Sequence, residues 1–282
     1  MVDTNNDEQI RLLNADIRGE HDAIVHYLTH AWTVAEVYGP RIESIARDEM
    51  RHLKWLAHTV VSLQGVPDLT PRHAEPVAVL KEALVIDIAA ENEAIAQYAD
   101  HRERIDDPRI QALLSRIIVD EKDHRRQFQE MAEQTEGTAP DFEAGPNVAV
   151  AEVAQHLQTL LGFEYQQILN YLFQYFVAVH GPSLGMNDED RAVEEMKHLG
   201  WIAEALTPMG QYPDWRKASG HRVSPDSPQK PVYQHVLAWA EQESPDFAPL
   251  MRRILAHQEY QWHNADASGW TVGPLKDAGK KA

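Results

Sequence analysis

The sequence predicts an all-α protein made of two tandem helical bundles. Three observations carry that prediction. Apolar residues recur three and four apart over long stretches, with no sustained period-two alternation. Gly- and Pro-containing breaks cut those stretches into hairpin-sized lengths. One pattern of unlike residues also recurs along the chain, which helix patterning alone does not produce.

Periodic stretches run from Ile10 to Val37 and from Ile42 to Leu63. Breaks fall at "YGPR" (38–41), at the Pro-rich "GVPDLTPRHAEP" (65–76) and at "IDDPR" (105–109). Residues 1–135 are therefore expected to form four helices with short, long and short connections, a bundle with one long crossover. "EGTAPDFEAGPN" (136–147) is the expected domain boundary. Residues 148–282 are expected to form a second, diverged bundle, punctuated by "HGPS" (180–183), a polar connection from Thr207 to Pro231, and "ESPD" (243–246).

The recurrence itself is D-x-x-x-E-x-x-A-I-x-x-Y. It occurs as Asp16, Glu20, Ala23, Ile24 and Tyr27, and again as Asp87, Glu91, Ala94, Ile95 and Tyr98. The second predicted helix carries "DEMRH" and the fourth "DEKDH", so the first 135 residues contain one helical hairpin twice. A weaker echo follows: Glu164, Ile168 and Tyr171 keep their offsets, and "EEMKHLGWIAE" (194–204) resembles "DEMRHLKWLAH" (48–58).

Composition removes several classes of function. The 44 acidic residues against 26 basic ones give a formal net charge of −18, which argues against nucleic acid or an acidic membrane surface as partners. There is no Cys, so disulfides, thiolate metal sites and iron–sulfur clusters are excluded, and any metal must bind through oxygen and nitrogen. The N-terminal "MVDTNNDEQIRLLNADIRGE" lacks the basic flank and apolar block of a secretory signal, and no apolar run is long enough for a bilayer span. A cytoplasmic protein is expected.

In a helix, residues three apart project from one face, so Glu49 with His52, and Glu121 with His124, each offer an oxygen and a nitrogen to a common point. Residues equidistant from a hairpin turn lie level, which brings Glu20 to Glu49 and Glu91 to Glu121. Burying four carboxylates without counter-charge would cost several kcal/mol each. Two divalent cations remove that cost, and four Glu with two His suit iron or manganese.

This set, one Glu from each of two helices and Glu-x-x-His from each of the other two, resembles that of the ferritin-like (bacterioferritin and rubrerythrin) dimetal-carboxylate superfamily. The resemblance covers residues 1 to about 135 and includes all six ligand positions. It implies two bound metal ions, with iron the first choice and manganese, or one of each, the alternative. Glu49 and Glu121 would bridge, Glu20 and Glu91 would be terminal, and His52 and His124 would each cap one metal. Asp16 and Asp87 are expected to orient His124 and His52. Tyr27 and Tyr98 are candidate catalytic residues that would hydrogen-bond a ligand carboxylate or relay an electron, with plain core packing as the competing reading.

Glu164, Glu195 and His198 amount to half of such a site in the second bundle. Leu160 stands where Asp16 does, Glu259 has no Glu-x-x-His partner in "AHQEYQWH", and the position level with it falls at Lys230 and Pro231. A packing role or a mononuclear site is therefore expected there, with Trp201, Trp239, Trp262 and Trp270 in its core. Haem, bound in bacterioferritins through a Met between the motif's Glu and His, is disfavoured: Met50 and Met196 hold that position, but Met is a common gap-filler.

The function so implied is a dimetal oxidoreductase of ferroxidase or peroxidase type, reacting with O2 or H2O2 and taking ferrous ion or a small molecule as substrate. Without Cys, a peroxidase would need a separate electron donor. A dimetal oxygenase acting on a small organic substrate and a non-enzymatic metal-binding or interaction protein are the alternatives. Homo-oligomerisation stays open, although a fused second bundle argues against a closed storage shell.

Overall fold

A computed structural model describes residues 4–33, 37–135, 148–177, 188–217 and 230–267. The chain divides into two compact units, Met1–Asp141 and Phe142–Ala282. The expected boundary at 136–147, the "HGPS" stretch, the Trp262 side chain and Trp270 lie outside what is described. Among the described residues every regular element is helical.

Unit 1 contains α1 (Thr4–Thr33), α2 (Gly39–Ser62), α3 (Leu80–Arg104) and α4 (Pro108–Gln134). Local chemistry sets the ends. α4 starts with Pro108 in its first turn, where a missing N–H costs nothing, and Asp107 caps it by accepting from the Arg109 amide at 2.8 Å. α2 stops at Leu63, after which Gln64 takes a left-handed φ of 64°. α1 pairs with α2 and α3 with α4, and the two hairpins meet through α1 against α3 and α2 against α4. Leu13, Ile17, Ile42, Leu56, Leu84, Leu114, Ile117 and Phe128 fill the space between them.

The long crossover is pinned to α1. Asn14 donates to the Val66 carbonyl at 3.0 Å and accepts from the Asp68 amide at 2.8 Å, while Arg18 reaches Asp68 at 2.9 Å. Leu69 and Ala74 bury their side chains beneath it. At the α1–α2 turn, a Cβ on Gly39 would lie 2.9 Å from the Ala31 carbonyl oxygen, which is backbone and cannot swing aside. Gly39→Ala is therefore expected to cost about 1–3 kcal/mol, the range for forced overpacking, as read from a shift of the denaturant midpoint.

Unit 2 contains α5 (Val148–Val177), α6 (Asp188–Leu206), two short 3-10 turns (Thr207–Met209 and Trp215–Lys217), α7 (Lys230–Glu243) and α8 (Ala248–Ala267). The pairings are α5 with α6, α7 with α8, α5 with α7 and α6 with α8, the order seen in unit 1. Its aromatic core differs from the expectation. Phe163, Tyr165, Tyr171, Trp215 and Tyr233 are buried, whereas Trp201 and Trp239 are only half-buried. Trp201 lies toward the surface, where the Arg253 guanidinium sits 5.2 Å from its ring centroid.

Candidate metal centre

Each helix of unit 1 delivers its polar residues on one face. On α1, Asp16, Glu20, Tyr27 and His30 are all buried; on α3, Asp87, Glu91, Tyr98 and His101 repeat the arrangement. α2 contributes Glu49 and His52, and α4 contributes Glu121 and His124, again buried. The Arg ion pairs lie instead toward the surface, as with Arg11–Glu8 and Arg41–Glu130.

All six expected ligands meet. Glu20, Glu49, His52 and Glu121 form one group whose donor atoms lie within 4.8 Å of one another, and Glu49, Glu91, Glu121 and His124 form a second. His52 Nδ1 is 2.8 Å from Glu49 Oε2 and 3.1 Å from Glu121 Oε1. His124 Nδ1 is 2.9 Å from Glu49 Oε1 and 3.3 Å from Glu121 Oε2. Glu49 and Glu121 thus each turn one oxygen to each histidine. Glu20 approaches the His52 side at 3.6 Å and Glu91 the His124 side at 4.0 Å.

These contacts are close, yet few are hydrogen bonds. Both Glu49 oxygens, Glu121 Oε1, Glu91 Oε2 and His52 Nδ1 are buried with no hydrogen-bond partner. Lone pairs aimed at two shared points, without donors to meet them, suit two cations. Four carboxylates and two neutral imidazoles also balance two divalent charges. With no metal, protons must do that work. Burial, then Glu121 and Glu49, push Glu20 well above the usual carboxylate range. Burial, then Glu49 and Glu121, take Glu91 up to about 11. Burial acts to lower the histidines, but the carboxylates outweigh it: His52 is raised, chiefly by Glu20, and His124 rises to about 10. Burial would raise Glu121 too, but His124 and His52 hold it at about 2.

A second ring of side chains fixes the first, and it crosses between hairpins. Tyr27 donates to Glu91 Oε1 at 2.6 Å, and Tyr98 donates to Glu20 Oε1. His52 Nε2 faces Asp120 Oδ2 at 3.3 Å, and His124 Nε2 faces Asp48 Oδ2 at 3.4 Å. With Nδ1 as ligand, Nε2 carries the proton and these aspartates accept it.

That corrects the sequence-based assignment of Asp16 and Asp87. Asp16 Oδ1 lies 2.7 Å from His101 Nδ1 and accepts from Gln97 at 2.9 Å, and Asp87 Oδ1 lies 2.9 Å from His30 Nδ1. α1 and α3 face each other there, so their aspartates meet each other's histidines rather than the ligands on α2 and α4. A signal was available: His30 and His101 each follow the motif tyrosine by three residues, and Asp48 and Asp120 are the first letters of the two "DE" motifs. Asp48→Asn and Asp120→Asn are each expected to weaken metal binding about 10–100-fold, the usual effect of losing such a partner, in competition against a chelator.

Unit 2 brings Glu164, Glu195 and His198 together, all buried, with donor atoms within 4.8 Å. Lys230 is level with Glu259, as expected, and pairs with it at 3.1 Å.

Helical hairpins that enclose two carboxylate–imidazole clusters with shared glutamates define a dimetal-carboxylate bundle. The ferritin-like domain family matches residues 10–138. A crystal structure of a ferritin-like, diiron-carboxylate protein from Bacillus anthracis strain Ames is similar at 30% identity, over 47% of this chain and 99% of that one, with a TM-score of 0.40. No curated protein sequence matches the chain. Through residues 10–138, the chain belongs to the ferritin-like dimetal-carboxylate superfamily. Among the described residues no helix is long and apolar enough to cross a membrane.

Proposed function

We propose that unit 1 is a dimetal oxidoreductase of ferroxidase or peroxidase type that binds two metal ions, with iron the preferred metal and manganese the alternative. The observation that carries this is the shared pair Glu49 and Glu121, each with one oxygen toward each histidine. Bound iron supplies electron steps between the divalent and trivalent states, at the potential the ligands set.

The protein's own groups do the rest. Glu20 and Glu91, each held by a tyrosine from the facing helix, would keep the terminal positions fixed, and Glu49 and Glu121 would be shared between the two ions. Burial, reinforced by Glu91 or Glu20, keeps the Tyr27 and Tyr98 phenols protonated well past their ordinary range. Each is therefore a donor at rest. Each also has a carboxylate oxygen in place to receive its proton should the ring give up an electron, which supports a relay role.

Stopped-flow oxidation of ferrous ion by the metal-stripped full chain tests the proposal, with O2 and H2O2 supplied separately. A ferroxidase consumes O2 as ferrous ion is oxidised. A peroxidase consumes H2O2 without O2 and depends on a separate electron donor. Uptake that rises only with an organic compound would select an oxygenase instead. A chain that binds iron and consumes neither oxidant would be a metal-binding scaffold.

A further inference from the structure

The polar cluster inside unit 2 is a site in its own right. Glu164, Glu195, His198 and Gln258 are all fully buried. His198 Nδ1 lies 2.9 Å from Glu195 Oε2 and 3.5 Å from Glu164 Oε2. The Gln258 amide comes from α8 and closes the ring, its Nε2 end lying 2.6 Å from Glu195 Oε2 and 2.9 Å from Glu164 Oε2. Tyr233 donates to Glu164 Oε1 at 2.5 Å, as Tyr98 does to Glu20 in unit 1. His198 Nε2 is anchored 3.0 Å from His257 Nδ1, as His52 Nε2 is by Asp120.

Hydrogen bonding alone leaves this cluster incomplete. Gln258 Oε1 and Glu195 Oε1 are buried without a partner. The two ends of an amide are told apart only by what they meet. Here Nε2 meets two carboxylate oxygens, which is the orientation hydrogen bonding favours without metal; an ion entering between them requires the amide to turn over and bring Oε1 to the place shared by Glu164 Oε2, Glu195 Oε2 and His198 Nδ1. Three oxygens and one nitrogen then surround one point, and that arrangement is repulsive without a cation. Two carboxylates neutralise one divalent charge.

We propose that unit 2 binds one divalent first-row metal ion through Glu164, Glu195, His198 Nδ1 and Gln258 Oε1. Among the described residues, fully buried donors are present for one ion, since Glu194 and His257, which approach His198 from its other side, are only half-buried. Gln258 and Gln261 face inward on α8 where α4 presents Glu121 and His124, and Leu160 fills the place of Asp16. Lys230 is level with Glu259 and engaged by it, so α7 brings no carboxylate there. The donor set is hard and nitrogen-containing, which suits manganous, ferrous or zinc ions. The site does not depend on the reaction proposed for unit 1.

Manganous ion is the probe, added by equilibrium dialysis to the metal-stripped full chain and followed by elemental analysis and electron paramagnetic resonance. Three ions per chain are expected: a spin-coupled pair in unit 1 and a magnetically isolated ion with resolved hyperfine structure in unit 2. His198→Ala should remove the isolated signal and leave the pair. Glu49→Gln, in unit 1, should leave the isolated signal. Two ions per chain with no isolated signal, four ions per chain, or an isolated signal that survives His198→Ala would overturn the proposal. Gln258→Glu keeps the shape and adds a carboxylate, so it covers the case in which His198→Ala fails to fold. It should tighten the isolated ion about tenfold or more, equivalent to about 1.4 kcal/mol, and an unchanged or weaker affinity would overturn the proposal.

Discussion

Glu49→Gln is expected to empty both metal positions of unit 1, not one. Glu49 Oε2 faces His52 and Oε1 faces His124, so a single side chain serves both clusters. An amide at that place removes the negative charge shared by two cations. It also turns an NH2 group, a donor with no lone pair, toward one of them. Losing one member of a buried charge pair costs about 3–5 kcal/mol. At about 1.4 kcal/mol per decade this is a loss of roughly two to four orders of magnitude in affinity. Elemental analysis after dialysis should show unit 1 essentially without metal, and ferrous oxidation should fall to the uncatalysed rate. Glu20→Gln is the contrast, because Glu20 belongs only to the His52 cluster and the His124 position should stay occupied. If Glu49→Gln kept one ion at full affinity, the glutamate would not be shared. In the metal-stripped protein the same change removes the carboxylate that faces both protonated histidines, so the stripped variant should also be less stable than the parent, as read from its denaturant midpoint.

The fold and the inner ring of ligands were legible in the sequence because both follow from spacing. Hairpin symmetry about "YGP" and "IDDP" places Glu20 level with Glu49 and Glu91 level with Glu121, and Glu-x-x-His puts each histidine on the same helix face as its glutamate. Rotation about a helix axis is where spacing runs out. Asp16 lies one turn from Glu20, which sets its height in the bundle but not the neighbour it turns toward, and it meets His101 on α3 rather than a ligand histidine. The exchange between hairpins, Asp48 to His124 and Asp120 to His52, is a property of how α2 and α4 oppose each other. In unit 2 the neutral Gln258 carries no signal among carboxylates and imidazoles, although it occupies the closing position of the cluster.

Stripping the metal should make unit 1 progressively less stable as pH rises, whereas the loaded protein should not share that trend. Four buried groups hold protons more tightly in the fold than in the unfolded chain: Glu20 and Glu91, through burial and then their glutamate neighbours, and His52 and His124, through their carboxylate contacts. Wherever the native state binds more protons than the unfolded one, stability falls with increasing pH. For Glu91 that window opens at the ordinary 4.5 and closes near 11; for His124 it runs from 6.5 to about 10. Glu121, held at about 2, acts in the opposite sense, but only below pH 4.5. Each extra proton retained by the fold contributes a slope of about 1.4 kcal/mol per pH unit. One such group alone lowers the melting temperature by about 3 °C or more per unit for a domain of this size. Two divalent ions must displace those protons to bind, so metal affinity rises with pH and stabilisation by the bound ions grows as the stripped protein weakens. Thermal unfolding from pH 6 to 9, with chelator and with saturating manganous ion, should therefore give two diverging curves. A pH-stat should record protons released to the medium on loading. Parallel curves with no proton release would mean that the six side chains do not exchange protons for metal.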